Sequence, residues 1–160
     1  MSELSLRAAT EQDLPVIASL WGELDRFHRE LGLAFPEVEK VEEKWLASFT
    51  RTLGRFSFIW LAESDGQIAA FLLARLKQSP AFLGGVQVGE ISDLYVDESL
   101  RGEGAGAQLV ALAMQKFDDL AVHSVEVQIL AGNDQGLDFW RKQGFNSDLS
   151  QVRKLIKGKG

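Results

Sequence analysis

In DLYVDESLRGEGAGAQL, residues 93–109, a β-like run gives way to Arg101 and then to glycine at every second position, Gly102, Gly104 and Gly106. Glycine lets a main chain approach an anion closely, and the first amides of a following helix point outward with partial positive charge. Such a loop suits a pyrophosphate. Three phosphate-binding readings compete. A P-loop needs Lys and then Ser or Thr after its glycines, whereas this helix continues with Ala107, Gln108 and Leu109, which removes that reading. Gly102, Gly104 and Ala107 satisfy the dinucleotide pattern G-x-G-x-x-A, but residues 97–101 separate the first glycine from the strand and no βαβ unit precedes it. The third pattern is R-x-x-G-x-G, filled by Arg101, Gly104 and Gly106 on the connection from a strand into a long helix. A tight turn is the plain alternative, but alternating glycines beside an arginine exceed what a turn requires.

Composition narrows the chemistry further. There is no cysteine, hence no disulfide framework, thiolate nucleophile or cysteine-bound metal. His28 and His123 lie far apart in sequence and form no metal motif, so no metal is expected. With 23 acidic against 17 basic residues the formal charge is -6, which argues against nucleic acid as a partner and suits a cationic small molecule or peptide. The opening MSELSLRAATEQDL is no secretory signal and no stretch approaches a membrane span, so a cytoplasmic protein with no membrane partner is expected. Apolar residues make up 46% of the 160, enough for one domain over residues 1–160 with a sizeable core.

The elements that would carry the loop follow from periodicity. LSLRA alternates as a strand, and Thr10 with Asp13 three residues later resembles a capping box. Leu14, Ile17, Leu20, Trp21 and Leu24 recur at helical spacing, with Pro15 in the opening turn. After a hinge at residues 31–36, Val38, Val41, Trp45 and Phe49 mark a second helical stripe. FSFIWLAES and QIAAFLLARLK, joined by Asp65 and Gly66, predict an antiparallel hairpin. Residues 79–85 read as a loop and residues 86–96 as a strand with Leu94 and Val96 on one face and Asp93 and Tyr95 on the other. A helix over residues 104–120, a strand over 122–130, a helix over 133–143 stopped by Gly144, and an edge strand over 152–156 complete the order.

Residues 93–106 resemble the signature of the GNAT superfamily of N-acetyltransferases: a strand, a loop, then [QR]-x-x-G-x-[GA] at the start of a helix. Asn133 after the next strand, the pair Phe139 and Trp140, and Gly144 with Phe145 at the end of the following helix match the family's places. LRAATEQDLPVIASL is similar to the family's first strand and helix, so the likeness spans nearly the whole chain. It implies an α/β, GNAT-like fold, a mixed and mostly antiparallel central sheet flanked by helices and splayed at the signature strand. It also implies acetyl-coenzyme A as acyl donor and direct attack by the primary amine of a small molecule or peptide in a ternary complex.

By that likeness the main chain of Leu94, Tyr95 and Val96 runs beside the pantetheine arm, and the amides of Arg101, Gly102, Glu103, Gly104, Ala105 and Gly106 hold the pyrophosphate. The Arg101 side chain either helps or braces the loop. Asn133 either bonds the arm or caps its helix, and Trp140 is a channel wall or a core residue. Glu90 lies six residues before Val96, the spacing of the general base in histone-acetylating relatives; a solvated carboxylate near a strand end is the plain alternative. Asp93 is the rival, holding a cationic acceptor or relaying a proton. Trp140 also stands where the family carries its usual acid, a tyrosine, and an indole gives up no proton to a thiolate. Tyr95, the only tyrosine, is the candidate substitute, and solvent can protonate a thiolate whose pKa is about 8.5. The first two helices and their hinge are expected to bring Trp21, Asp25, His28 and Phe35 to the acceptor, Asp25 and Glu23 to neutralise an amine and His28 to deprotonate one. Exposed sheet edges and the habit of relatives imply a homodimer. A coenzyme A binding module without catalysis, favoured by Trp140, and an interaction domain with an empty fold are the competing classes.

Overall fold

The computed structural model describes residues 4–156. Five strands form one sheet in the order β1 (Leu4–Ala8), β2 (Ser57–Ser64), β3 (Gln67–Gln78), β4 (Gln87–Val96) and β5 (Ser124–Val127). The first three pairings are antiparallel and the last is parallel, so the sheet is mixed and mostly antiparallel. Asp65 and Gly66 close the β2–β3 hairpin with φ of 52° and 78°, the left-handed pair that matches the twist of the flanking strands. The parallel pairing requires a crossover, supplied by α3 (Ala105–Asp119).

Helices cover both faces. Along β3, Phe71 and Leu73 meet α1 (Leu14–Glu30) and α2 (Val41–Ala47), while Ala70, Leu72 and Ala74 meet α3 and α4 (Asp134–Lys142). This strand is therefore apolar on both faces, and each large side chain removed from water contributes about 1.5–3 kcal/mol. The entrance to α1 is pinned by Asp13, whose Oδ2 accepts the Thr10 amide at 2.7 Å while the Arg7 guanidinium grips both oxygens at 2.7 and 2.9 Å. Arg7 holds the Asp13 carboxyl well below the usual carboxylate range. Where β4 crosses α3, Gly89 lies under the ring of Phe117: a Cβ at Gly89 would sit 2.6 Å from Phe117 Cε1.

Two irregularities in β4 build the site. Leu73 opposes Asp93 and Ala74 opposes Ile91, which leaves Ser92 as an extra residue. Pairing with β5 runs from Val88 opposite Ser124 to Ile91 opposite Val127 and stops there. A bulge bends its strand, so β4 leaves β5 just past Ile91 and a wedge opens between them. The expected splay at this strand is present.

Some elements are shorter than periodicity predicts. The second helical stripe starts only at Val41, because Lys40 adopts a left-handed φ of 53° and Val38 stays exposed; Phe49 is buried but lies beyond the helix end. Of the strand expected over residues 122–130, only Ser124–Val127 pairs, since β4 has bent away from the remainder. The edge strand expected over residues 152–156 does not form. Residues 146–156 carry no regular structure, Leu149 and Val152 are almost fully exposed, and Arg153 lies over the ring of Phe35 at 4.7 Å. Without a neighbouring strand to pair with, alternation alone cannot make a strand. Among the described residues no helix is long and apolar enough to cross a membrane.

Candidate active site

The wedge is a cleft of about 860 Å³. Its floor is the outgoing half of β4, with Asp93, Leu94, Tyr95 and Val96, and its opposite edge is the unpaired continuation of β5 over residues 128–130. Asn133, Phe139 and Trp140 close it on the α4 side, and Leu20, Glu23, Leu24, Phe27 and His28 close it on the α1 side. With β5 gone, the β4 main chain from Ser92 onward keeps β3 as its only strand partner among the described residues, so one edge of it faces the cleft.

At the end of β4 the chain turns through a short 3-10 segment. Asp97 caps it by accepting the Ser99 amide at 3.1 Å and the Ser99 hydroxyl at 2.6 Å, which lowers the Asp97 carboxyl pKa. Leu100 is buried and anchors the loop from below. Gly102 and Gly104 have φ of 87° and 80°, and a side chain at either would find space but a strained backbone. Gly106 differs, because its conformation is ordinary and what it lacks is room: a Cβ would lie 3.3 Å from the Phe139 ring and 3.5 Å from Val96 Cγ2. In α3 the Gln108 amide bonds Gly104 O at 3.0 Å, so the amides of Ala105, Gly106 and Ala107 occupy the turn where a helix has no internal acceptors. Left-handed glycines, outward amides and a helix N-terminus fit the pyrophosphate of a coenzyme A, and the adjacent free edge of β4 fits an extended amide-bearing arm.

The structure brings most, but not all, of the sequence candidates together. Asp93, Leu94, Tyr95, Val96, Arg101, Gly106, Asn133, Trp140 and His28 line the cleft. Gly102, Glu103 and Gly104 are exposed on the loop, while the Ala105 side chain is buried in the core, leaving only its main chain to serve a ligand. Asn133 caps α4, its Oδ1 accepting the Gly136 amide at 3.0 Å. Trp140 is both core and wall, 7% exposed and edge-on to Phe139 and Phe145. Arg101 is exposed, 3.8 Å from Glu98.

Four further candidates, none of them on the glycine loop, stand outside the cleft lining. Glu90 precedes the bulge, where β4 and β5 still pair, and its carboxylate meets Lys77 at 3.4 Å; Lys77 also pairs with Glu126. Asp25 is taken up by Arg29 at 2.9 Å, and Arg29 also donates to the Phe35 carbonyl, which fastens the hinge. Phe35 is exposed beneath Arg153. Trp21 lies behind Asp93, donating its indole N–H to Asp93 Oδ1 at 3.0 Å.

Three acid–base candidates in the cleft are shifted. Burial pushes the Asp93 carboxyl up, against the hydrogen bond from Trp21 and the charge of Arg75. Burial lowers His28, against the nearby charges of Asp93 and Asp25, and so favours a neutral imidazole. Tyr95 is raised, first by burial and then by Asp97, to which its hydroxyl donates at 3.4 Å. The α1 wall holds Leu20 and Leu24 of the expected helical stripe together with Phe27, which recurs at the same spacing but is not among the residues singled out from the sequence.

A five-stranded sheet that splays beside a glycine loop at a helix N-terminus defines a class, and the chain belongs to it: residues 24–145 match the model of the acetyltransferase (GNAT) family. Acetyl transfer from acetyl-coenzyme A is the activity of that class. A glucosamine 6-phosphate N-acetyltransferase of Trypanosoma brucei brucei is 30% identical over 152 residues, covering 94% of this chain and 95% of its own. A putative phosphinothricin acetyltransferase of Bacillus subtilis is 24% identical over 89% of this chain and 83% of its own. Among solved structures, a predicted acetyltransferase with acetyl-CoA from Clostridium acetobutylicum shares the fold with a TM-score of 0.76 at 18% identity, over 96% of each chain.

Proposed function

We propose that the protein moves an acetyl group from acetyl-coenzyme A to the primary amine of a small molecule or peptide, by direct attack within a ternary complex. The observation that carries this reading is the release of β4 from β5 after Ile91. It puts a free main-chain edge at Leu94, Tyr95 and Val96, a half-buried carboxyl at Asp93 and the glycine loop into one cleft. Residues 101–106 hold the pyrophosphate, the β4 edge holds the arm, and the acceptor enters between α1 and β4. The relatives named above support a small amine as the acceptor, since both carry names of enzymes that acetylate small molecules. Within the site, enforced proximity of amine and thioester supplies most of the catalysis, and polar groups need only manage protons.

Thiol release from acetyl-coenzyme A, followed with a panel of amino sugars, amino acids, polyamines and peptides, tests the proposal. Amine-dependent release with at least one class is expected. Tight acetyl-coenzyme A binding with no release across the panel would instead make the protein a binding module.

A further inference from the structure

Trp21 does not reach the cleft, yet it determines what the cleft contains. Its indole N–H donates to Asp93 Oδ1 at 3.0 Å. Its ring lies flat on Trp45, with centroids 5.0 Å apart and planes 12° from parallel. Trp45 is itself buried and packs edge-on against Phe49 and Phe71 at 4.8 and 5.7 Å. Trp21 therefore cannot swing without dismantling an aromatic stack rooted in β3. From the other side Asp93 follows the bulge, where the Ser92 hydroxyl donates to Leu73 O at 3.3 Å. The carboxyl is held at the floor of the cleft by rigid elements on both flanks. Packing alone would favour an apolar residue here, because a carboxylate brought out of water costs stability.

Resting on the acetyl-transfer reading above, we propose that Asp93 accepts the proton of the acceptor's ammonium and that Trp21 is a positioning residue that fixes the Asp93 carboxyl for this step. The Asp93 carboxylate takes one proton from the ammonium nitrogen, whose freed lone pair forms the bond to the thioester carbonyl carbon. The carbon–sulfur bond breaks with its electron pair going to sulfur. The new amide nitrogen sheds a second proton, the thiolate takes one, and Asp93 returns its own to solvent. Glu90 is tied to Lys77 outside the cleft and cannot do this work. The charged and titratable groups facing Asp93 are Arg75 from β3 and His28 from α1, with the indole of Trp45 on α2 as a further donor. Burial outweighs all of them and makes Asp93 a stronger base than an exposed carboxylate.

The test uses Trp21→Phe, which keeps an aromatic ring on Trp45 but loses the N–H together with part of the indole, alongside Asp93→Asn. For Trp21→Phe, kcat falls about tenfold and the KM for acetyl-coenzyme A is unchanged. The acidic limb of its kcat/KM profile moves up by about one pH unit, since the lost N–H favoured the ionised carboxyl. For Asp93→Asn, kcat falls by about 100-fold or more while acetyl-coenzyme A still binds. Melting without any ligand gives a second readout. A raised folded pKa means that ionisation is paid for by the fold, so wild-type stability falls as pH rises from about 4 toward the folded value. Asp93→Asn should melt higher than wild type at pH 7, with the gap widening as pH rises through that window. An unchanged kcat and acidic limb in Trp21→Phe, or an Asp93→Asn protein that melts below wild type at pH 7, would overturn the proposal. If wild type itself turns over no amine of the panel, the acetyl-transfer reading falls and this one with it. Wild-type turnover with an unaffected Trp21→Phe sinks only this one.

Discussion

Gly89→Ala isolates the closest approach between sheet and helix. The added methyl would lie 2.6, 2.7 and 2.8 Å from Cε1, Cδ1 and Cζ of Phe117. Carbon atoms prefer about 3.5–4.0 Å, so the ring must retreat by about 1 Å. It has no free volume to enter: Phe117 is 1% exposed and shares a core cluster with Ala74, Ile91 and Ala113. Overpacking of this kind costs about 1–3 kcal/mol, and replacing a strand glycine returns about 0.5–1 kcal/mol. The midpoints leave a net loss of about 1 kcal/mol, which lowers Tm by about 2–4 °C for a chain of this size. Thermal unfolding of wild type, Gly89→Ala, Phe117→Leu and the double variant measures it. The smaller side chain makes room for the methyl, so the double variant should be more stable than additivity predicts by about 1 kcal/mol. A Gly89→Ala protein that melts with wild type, or a strictly additive cycle, would refute this account of the β4–α3 contact. Because Phe117 and Ala105 belong to one helix, the acetyl-coenzyme A affinity of Gly89→Ala shows whether the displacement travels to the loop.

Two further substitutions address the loop and the start of α1. Gly106→Val drives methyl groups into Phe139 and Val96, and calorimetry should find acetyl-coenzyme A binding weakened at least tenfold, about 1.4 kcal/mol; an unchanged Kd would place the pyrophosphate elsewhere. Gly104→Ala meets no atom closer than 3.9 Å, so it should instead cost about 1–2 kcal/mol in folding through its left-handed φ, visible as a lowered Tm. Asp13→Asn tests the clamp of Arg7 on α1. A depressed pKa stabilises the fold above the ordinary carboxylate value of about 3.9 and loses that effect as pH falls toward the folded value. The Tm gap between wild type and Asp13→Asn should be full at pH 7 and narrow steadily below pH 4; a gap independent of pH would show that the charge of Asp13 is irrelevant.

The parts of the molecule legible in the sequence were those governed by local rules. Asp65 with Gly66 marked a hairpin because few other pairs tolerate two left-handed residues, and the alternating glycines marked the loop because each answers a local need of backbone or space. The opposite facing of Leu94 and Tyr95 follows from the pleat alone. What was hidden depends on partners distant in the chain. Glu90 looked like a base by its spacing from Val96, but only the pairing of β4 with β5 reveals that it stands beside Lys77 and away from the cleft. Asp25 and Trp21 looked alike as residues of one helix, yet Arg29 takes the first and Asp93, 72 residues away, takes the second. The strand expected over residues 152–156 had the right alternation and lacked a neighbour, which no local pattern supplies.

The extra residue in β4 can also be read as arithmetic. Before Ser92 the odd-numbered positions Gly89 and Ile91 face α3; after it the even-numbered Leu94 and Val96 do. Deleting Ser92 would leave every side chain on its present face, because Asp93 already stands opposite Leu73 and Ile91 opposite Ala74. What the deletion would remove is the turn in the strand's direction, and with it the reason for β5 to part from β4. A single insertion in a regular ladder is thus the difference between a closed sheet and one with a mouth, and the residues that do the chemistry need not change for that mouth to open or shut.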